Sequence, residues 1–172
     1  MRHPAFTPSK EVMNPRALTP TLRRLDGLLC WYVNAGGAAG TSFSLALGEK
    51  VLRDKPLNNP GVNDDFRIYE GEFNLYVWCS WRLEQESCAL SSSNQDPAQA
   101  ADALKELTGS RLSSIEVDET TTDLKLLFGN RVLRVFCDHC FPDPSCSANW
   151  ELFWAQRVLA AGPGFVWCEE ET

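Results

Sequence analysis

Apolar residues fall along this chain in two rhythms. Phe43, Leu45 and Leu47 alternate with small or polar neighbours, as do Leu124, Leu126 and Phe128, and that period of two predicts half-buried β-strands. Each run ends on a glycine pair, Gly48-Glu49 and Gly129-Asn130, which predicts a tight hairpin after each. Helical spacing occupies DPAQAADALKELTG, where Ala100, Leu104 and Leu107 share a face. Asp96 is a natural N-cap there, Pro97 suits the first helical position, and Gly109 ends the helix. A shorter helix is predicted in TPTLRRLDG, with Thr19 as cap, Pro20 after it and Gly27 as stop. Strands opening on Trp81 and Trp150, both in a Trp-x-Leu pattern, close the two runs.

These elements recur in the same order. TSFSLALGEKVLR, 41–53, aligns without a gap to TDLKLLFGNRVLR, 122–134, with Thr41/Thr122, Leu45/Leu126, Gly48/Gly129, Val51/Val132, Leu52/Leu133 and Arg53/Arg134 identical. Upstream, Leu25-Asp26-Gly27 parallels Leu107-Thr108-Gly109, and downstream WRLEQESCAL parallels WELFWAQRVL. An insertion around KPLNNPGVNDD accounts for the longer spacing in the first half. The fold class read from this is α+β, with two tandem similar helix-plus-antiparallel-meander units forming one pseudo-two-fold domain. Residues 1–172 are expected to be that single domain, with a flexible tail 1–15, a first repeat 16–95 and a second repeat 96–172. The hairpins are too short for crossovers, so the sheet is expected to be antiparallel.

Charge narrows the class. The chain of 172 residues carries 23 acidic against 16 basic residues, a formal net charge of -7. Such a surface repels phosphate backbones and attracts basic partners, so nucleic acid is excluded as a partner and a basic protein is expected. No apolar run is long enough to cross a bilayer, and the amino end lacks the apolar core of a secretory signal. A cytoplasmic protein without membrane partners is the expectation. Seven cysteines, an odd number, then read as free thiols behaving as small hydrophobes.

The richest candidate chemistry lies in VLRVFCDHCFPDPSCSANWELFW, 132–154. Cys137 continues the alternation of Leu133 and Val135, so it points inward, which leaves His139, Cys140 and Cys146 in a connecting loop of about 138–149. Structural zinc takes four ligands, usually as two separated pairs, and Cys137-x-x-Cys140 supplies one pair. A reactive CxxC wants a helix amino end to lower its thiol pKa, whereas Asp138 and Asp143 raise it. The segment therefore reads as two strands and a loop, with no metal and no cofactor. A zinc or small-molecule site on loop 137–146 is the alternative, and an enzyme working through Cys140 and His139 the remoter one. The glycine-rich NAGGAAGTS, 34–42, lacks the lysine and helix of a phosphate loop and reads as a hairpin connection. His3 lies in the expected tail, and Asp64-Asp65 with Glu70 and Glu72 read as solubilising charges, so catalytic residues are expected to be none.

Aromatic residues carry the remaining signal. YVWCSW places Tyr76, Trp78 and Trp81 along one expected strand, with Tyr76 and Trp78 on one face and Trp81 on the other. Trp150, Trp154 and Trp167 add to this supply. Tyrosine and tryptophan favour interfaces because they bury much area at small entropic cost.

The second half also carries the pattern DLKLLF, a glycine turn, LRVF and a later strand opening on WEL. Asp123, Leu124, Leu126, Phe128, Leu133, Val135, Phe136, Trp150, Glu151 and Leu152 hold it. In these positions, about the last third of the chain, the protein resembles small uncharacterised bacterial proteins of the immunity-protein and domain-of-unknown-function type. The resemblance implies a fold and brings no catalytic residues. The expected function is a non-enzymatic binding protein, an immunity-type antagonist of a basic partner.

Overall fold

The computed structural model describes residues 11–138, 148–162 and 165–170. In chain order its strands are β1 (Glu11–Met13), β2 (Cys30–Ala35), β3 (Phe43–Leu52), β4 (Tyr69–Val77), β5 (Ser80–Gln85), β6 (Cys88–Ser92), β7 (Ser114–Val117), β8 (Leu124–Phe128), β9 (Arg131–Phe136), β10 (Trp150–Trp154), β11 (Arg157–Gly162) and β12 (Phe165–Glu170). Three short helices join them: α1 (Leu18–Leu22), α2 (Asp64–Ile68) and α3 (Pro97–Lys105). The fold is α+β with antiparallel pairing, as expected, but it holds two sheets where one was read. One runs β1-β12-β11-β10-β4-β3-β2 and the other β6-β5-β9-β8-β7.

The chain changes sheet twice, after β4 and again between β9 and β10. The segment from β2 to β6 thus gives three strands to the first sheet and two to the second, and the segment from β7 to β11 reverses those shares. Alternation aims one face of every strand at a common core. Phe43, Leu45 and Leu47 meet Val77, Leu75 and Phe73 across β3–β4, while Leu124 and Leu126 meet Val135 and Leu133 across β8–β9. All ten are buried in one cluster with Leu22, Leu25, Leu104 and Leu107 of the helical segments. At 25 cal/mol per Å², burying such a side chain stabilises the fold by about 1.5–3 kcal/mol, so the alternation is the main determinant of the architecture.

Local signals fare unevenly. Asp96 caps α3 as read, its carboxylate accepting from Ala98 and Gln99 N–H, and Gly109 takes φ +85° beyond the helix. Gly129 turns the β8–β9 hairpin at φ +62°, and the glycine-rich stretch joins antiparallel β2 and β3 through 36–42, its first two residues, Asn34 and Ala35, lying in β2. Thr19 is not a cap. The helix begins at Leu18 after an Ala17 that makes no side-chain cap bond, and Pro20 sits in the first turn, where its missing N–H costs nothing. Gly48-Glu49 does not form the expected hairpin. β3 runs through it on a bulge, one extra residue between the Leu47–Phe73 and Lys50–Gly71 pairs, with Gly48 at φ +81°. The insertion expected around 55–65 follows β3 and contains the start of α2, which covers Ala46 with Phe66 and Val62. Glu11 to Met13 of the expected flexible tail pair with β12, and Glu169 and Glu170 of the acidic end lie in β12 itself.

Candidate partner-binding face

YVWCSW is divided between two strands, because the chain leaves the first sheet at Trp78 and Cys79 and enters the second at Ser80. The expected division of faces holds all the same. Trp81 is 1% exposed and points inward, its indole N–H donating to Thr41 O at 2.7 Å. Tyr76 and Trp78 point outward and stack, with ring centroids 6.1 Å apart and planes at 15°. Trp78 is 45% exposed.

β10 completes the face. Its inward residues Trp150, Leu152 and Trp154 join the core, which turns Glu151 and Phe153 outward beside β4. Phe153 meets Tyr76 edge-on at 5.3 Å, and Trp78 Nε1 donates to Glu151 Oε2 at 3.3 Å. With Glu70 and Asn74 these side chains line a hollow of about 190 Å³. Asn74 is fixed by Gly71, accepting from its N–H at 3.0 Å and donating to its carbonyl at 2.9 Å. Glu70 is held by Arg53 at 2.9 Å, a guanidinium that also packs over Phe66. Burial raises the Tyr76 hydroxyl pKa; Arg53 opposes that rise, and the Glu70 and Glu151 carboxylates add to it. The hollow is therefore three aromatic rings with carboxylate at its margin, a composition suited to an organic cation.

Other candidates go elsewhere. Asp64 pairs with Arg67 at 3.2 Å and Asp65 with Lys50 at 2.6 Å, so those carboxylates form ion pairs on a turn of helix rather than an acid–base pair. Cys137 is buried as expected, its thiol donating to Thr122 O at 3.3 Å. His139, Cys140 and Cys146, like His3, lie outside the described residues. Among the described residues no group of three His, Cys, Asp or Glu side chains is placed to hold a metal ion, and no helix is long and apolar enough to cross a membrane. Trp154 stacks on Phe73 in the core, and Trp167 pairs through its backbone with Ala160.

Sequence reasoning found Tyr76 and Trp78 and missed Glu151 and Phe153 as their neighbours. A signal existed: in WELFW, alternation from buried Trp150 assigns Phe153 to the outside, where a large apolar ring is unexpected. Comparison with family models, curated proteins and solved structures found no match to this chain.

Proposed function

We propose that this is a non-enzymatic binding protein that holds a basic partner on the outer face of β4 and β10, as an immunity-type antagonist holds its target. A lysine or arginine side chain of the partner enters between Tyr76, Trp78 and Phe153, with its charge against Glu151. The observation that carries this reading is Trp78, an indole 45% exposed in a rigid aromatic stack beside a carboxylate, on a chain of net charge -7. Electrostatic attraction speeds encounter with a basic protein, and desolvated aromatic contact slows its departure.

The reading takes the chain as two copies of one unit about a pseudo-two-fold axis, and paired hydrogen bonds support it. Gly27 N–H to Leu112 O at 2.6 Å is answered by Gly109 N–H to Cys30 O at 2.7 Å. Leu112 N–H to Leu28 O is answered by Cys30 N–H to Ser110 O, both at 2.9 Å. Trp81 to Thr41 O is answered by Trp150 to Thr122 O at 2.9 Å, linking residues that the sequence repeat aligns. Val77 lies opposite Trp150 as Val135 lies opposite Trp81, so by strand pairing Tyr76 and Trp78 correspond to Arg134 and Phe136, and Glu151 and Phe153 to Arg82 and Glu84; past Gly48 this departs from the ungapped alignment, which set Arg134 against Arg53. On that second face Glu84 takes both Arg82 at 2.6 Å and Arg134 at 3.1 Å, which neutralises it internally. One basic-partner site per chain follows.

A tagged pull-down from the source organism tests the reading, run in parallel with Trp78→Ala and Glu151→Gln. The expected result is a stoichiometric basic protein on the wild type that leaves in high salt and is lost from both variants. A partner retained equally by Trp78→Ala, or one that is acidic, contradicts it.

A further inference from the structure

A cysteine stands at each place where the chain changes sheet. Cys79 lies between β4 and β5, and Cys137 follows β9 directly. The β5–β9 ladder pairs Trp81 with Val135 and ends at Ser80 with Phe136, so Cys79 and Cys137 each lie one residue beyond its last rung. Paired strands lie about 4.7–4.9 Å apart and a disulfide spans Cα atoms about 4.4–6.8 Å apart, so the end of this ladder brings the two within reach of one. The two thiols are hydrogen-bonded to each other, and they are 3% and 7% exposed. Neither takes part in the binding face.

We propose that Cys79 and Cys137 form a reversible disulfide by exchange with a low-molecular-weight disulfide, a covalent bond that staples the two sheet crossings together. Cys137 attacks first. The hydrogen bond from Cys79 holds its thiol below the usual range despite burial, while the same bond and burial push Cys79 up. The Cys137 thiolate displaces one thiolate from the small disulfide, giving a mixed disulfide. The Cys79 sulfur then attacks Cys137, the protein S–S bond forms, and the second small thiolate leaves. Two protein thiols lose two electrons and two protons, and one small disulfide becomes two thiols.

The bond closes a loop from 79 to 137, long enough that constraining the unfolded chain raises the urea midpoint by about 1–2 M. It also anchors the crossing that presents Trp78. The test incubates the full chain with oxidised glutathione until exposed Cys88 has fully reacted. Remaining thiols are then alkylated, and an unreduced digest is mapped by mass spectrometry. The expected result is a peptide joining Cys79 to Cys137, with the midpoint rise reversed by dithiothreitol and absent from Cys79→Ala. Recovery of both cysteines as alkylated thiols overturns the proposal, as does Cys137 joined to Cys140 or Cys146. The map is read on the wild type, so it stands even if the variant fails to fold.

Discussion

Replacing Trp81 or Trp150 by phenylalanine isolates the hydrogen bond that each indole makes to a threonine carbonyl. Both side chains are essentially inaccessible, at 1% and 0% exposure; Thr122 is buried as well, so water cannot replace the donor lost at Trp150, while half-buried Thr41 admits it only in part. A buried carbonyl left without its partner costs about 1–3 kcal/mol. The smaller ring leaves a void worth about 1 kcal/mol more, and at Trp81 it also disturbs the edge-to-face contact with Phe43, 5.7 Å between centroids. Each substitution is therefore expected to cost about 2–4 kcal/mol, a large share of the about 5–15 kcal/mol that holds a domain folded. Neither carbonyl loses all its partners: Thr122 O also accepts from Cys137 Sγ at 3.3 Å, and half-buried Thr41 O can take water, so the two costs are expected to be similar. Urea unfolding followed by far-ultraviolet circular dichroism measures both. A loss under about 0.5 kcal/mol for either contradicts the buried hydrogen bond at that position.

Gly71→Ala is expected to destabilise by about 2–3 kcal/mol in the same assay, because its new Cβ would meet Phe73 O at 2.5 Å and Leu47 N at 2.7 Å, backbone atoms that cannot move aside; a neutral result contradicts the close approach of β3 and β4. Burial pushes the Cys30 thiol up to about 12, a rise that a backbone hydrogen bond at Tyr32 offsets only in part, so at about pH 8 iodoacetamide should modify exposed Cys88 and spare Cys30; equal rates contradict the packing. Partial burial pushes the Glu84 carboxyl up, and the hydrogen bonds from Arg134 and Arg82 outweigh it and hold the pKa below the usual carboxylate range. Its stabilisation is therefore present above the unfolded value of about 4.3 and lost as pH falls through the lower folded value, so the stability gap between wild type and Glu84→Gln should close on acidification; a gap that widens contradicts the pairing.

How much of this was legible follows from where each determinant sits. Asp96 could be read because an N-cap is satisfied by amides two and three residues on, and the Gly129 turn because its strands are adjacent in the chain. Gly48 could not, since a glycine at positive φ serves a hairpin and a bulge equally. What decides between them is β4, whose pairing residues begin at Tyr69, beyond the insertion. The division of YVWCSW into two faces came from alternation alone, whereas its division into two sheets depends on β10 and β9, far along the chain. The face itself was half visible for the same reason. Tyr76 and Trp78 are neighbours in sequence, but Glu151 and Phe153 reach them through a ladder that no local pattern announces.

Retention of a cationic side chain at Trp78, as proposed, is tested most directly by a calorimetric titration of the purified protein with a lysine-rich peptide at low and high salt, repeated with Trp78→Ala and Glu151→Gln. Binding is expected to weaken as salt screens the charges and to fall at least about tenfold in Trp78→Ala, about 1.4 kcal/mol. Binding of equal strength to wild type and Trp78→Ala would place the basic ligand elsewhere on the acidic surface and contradict a site at Trp78.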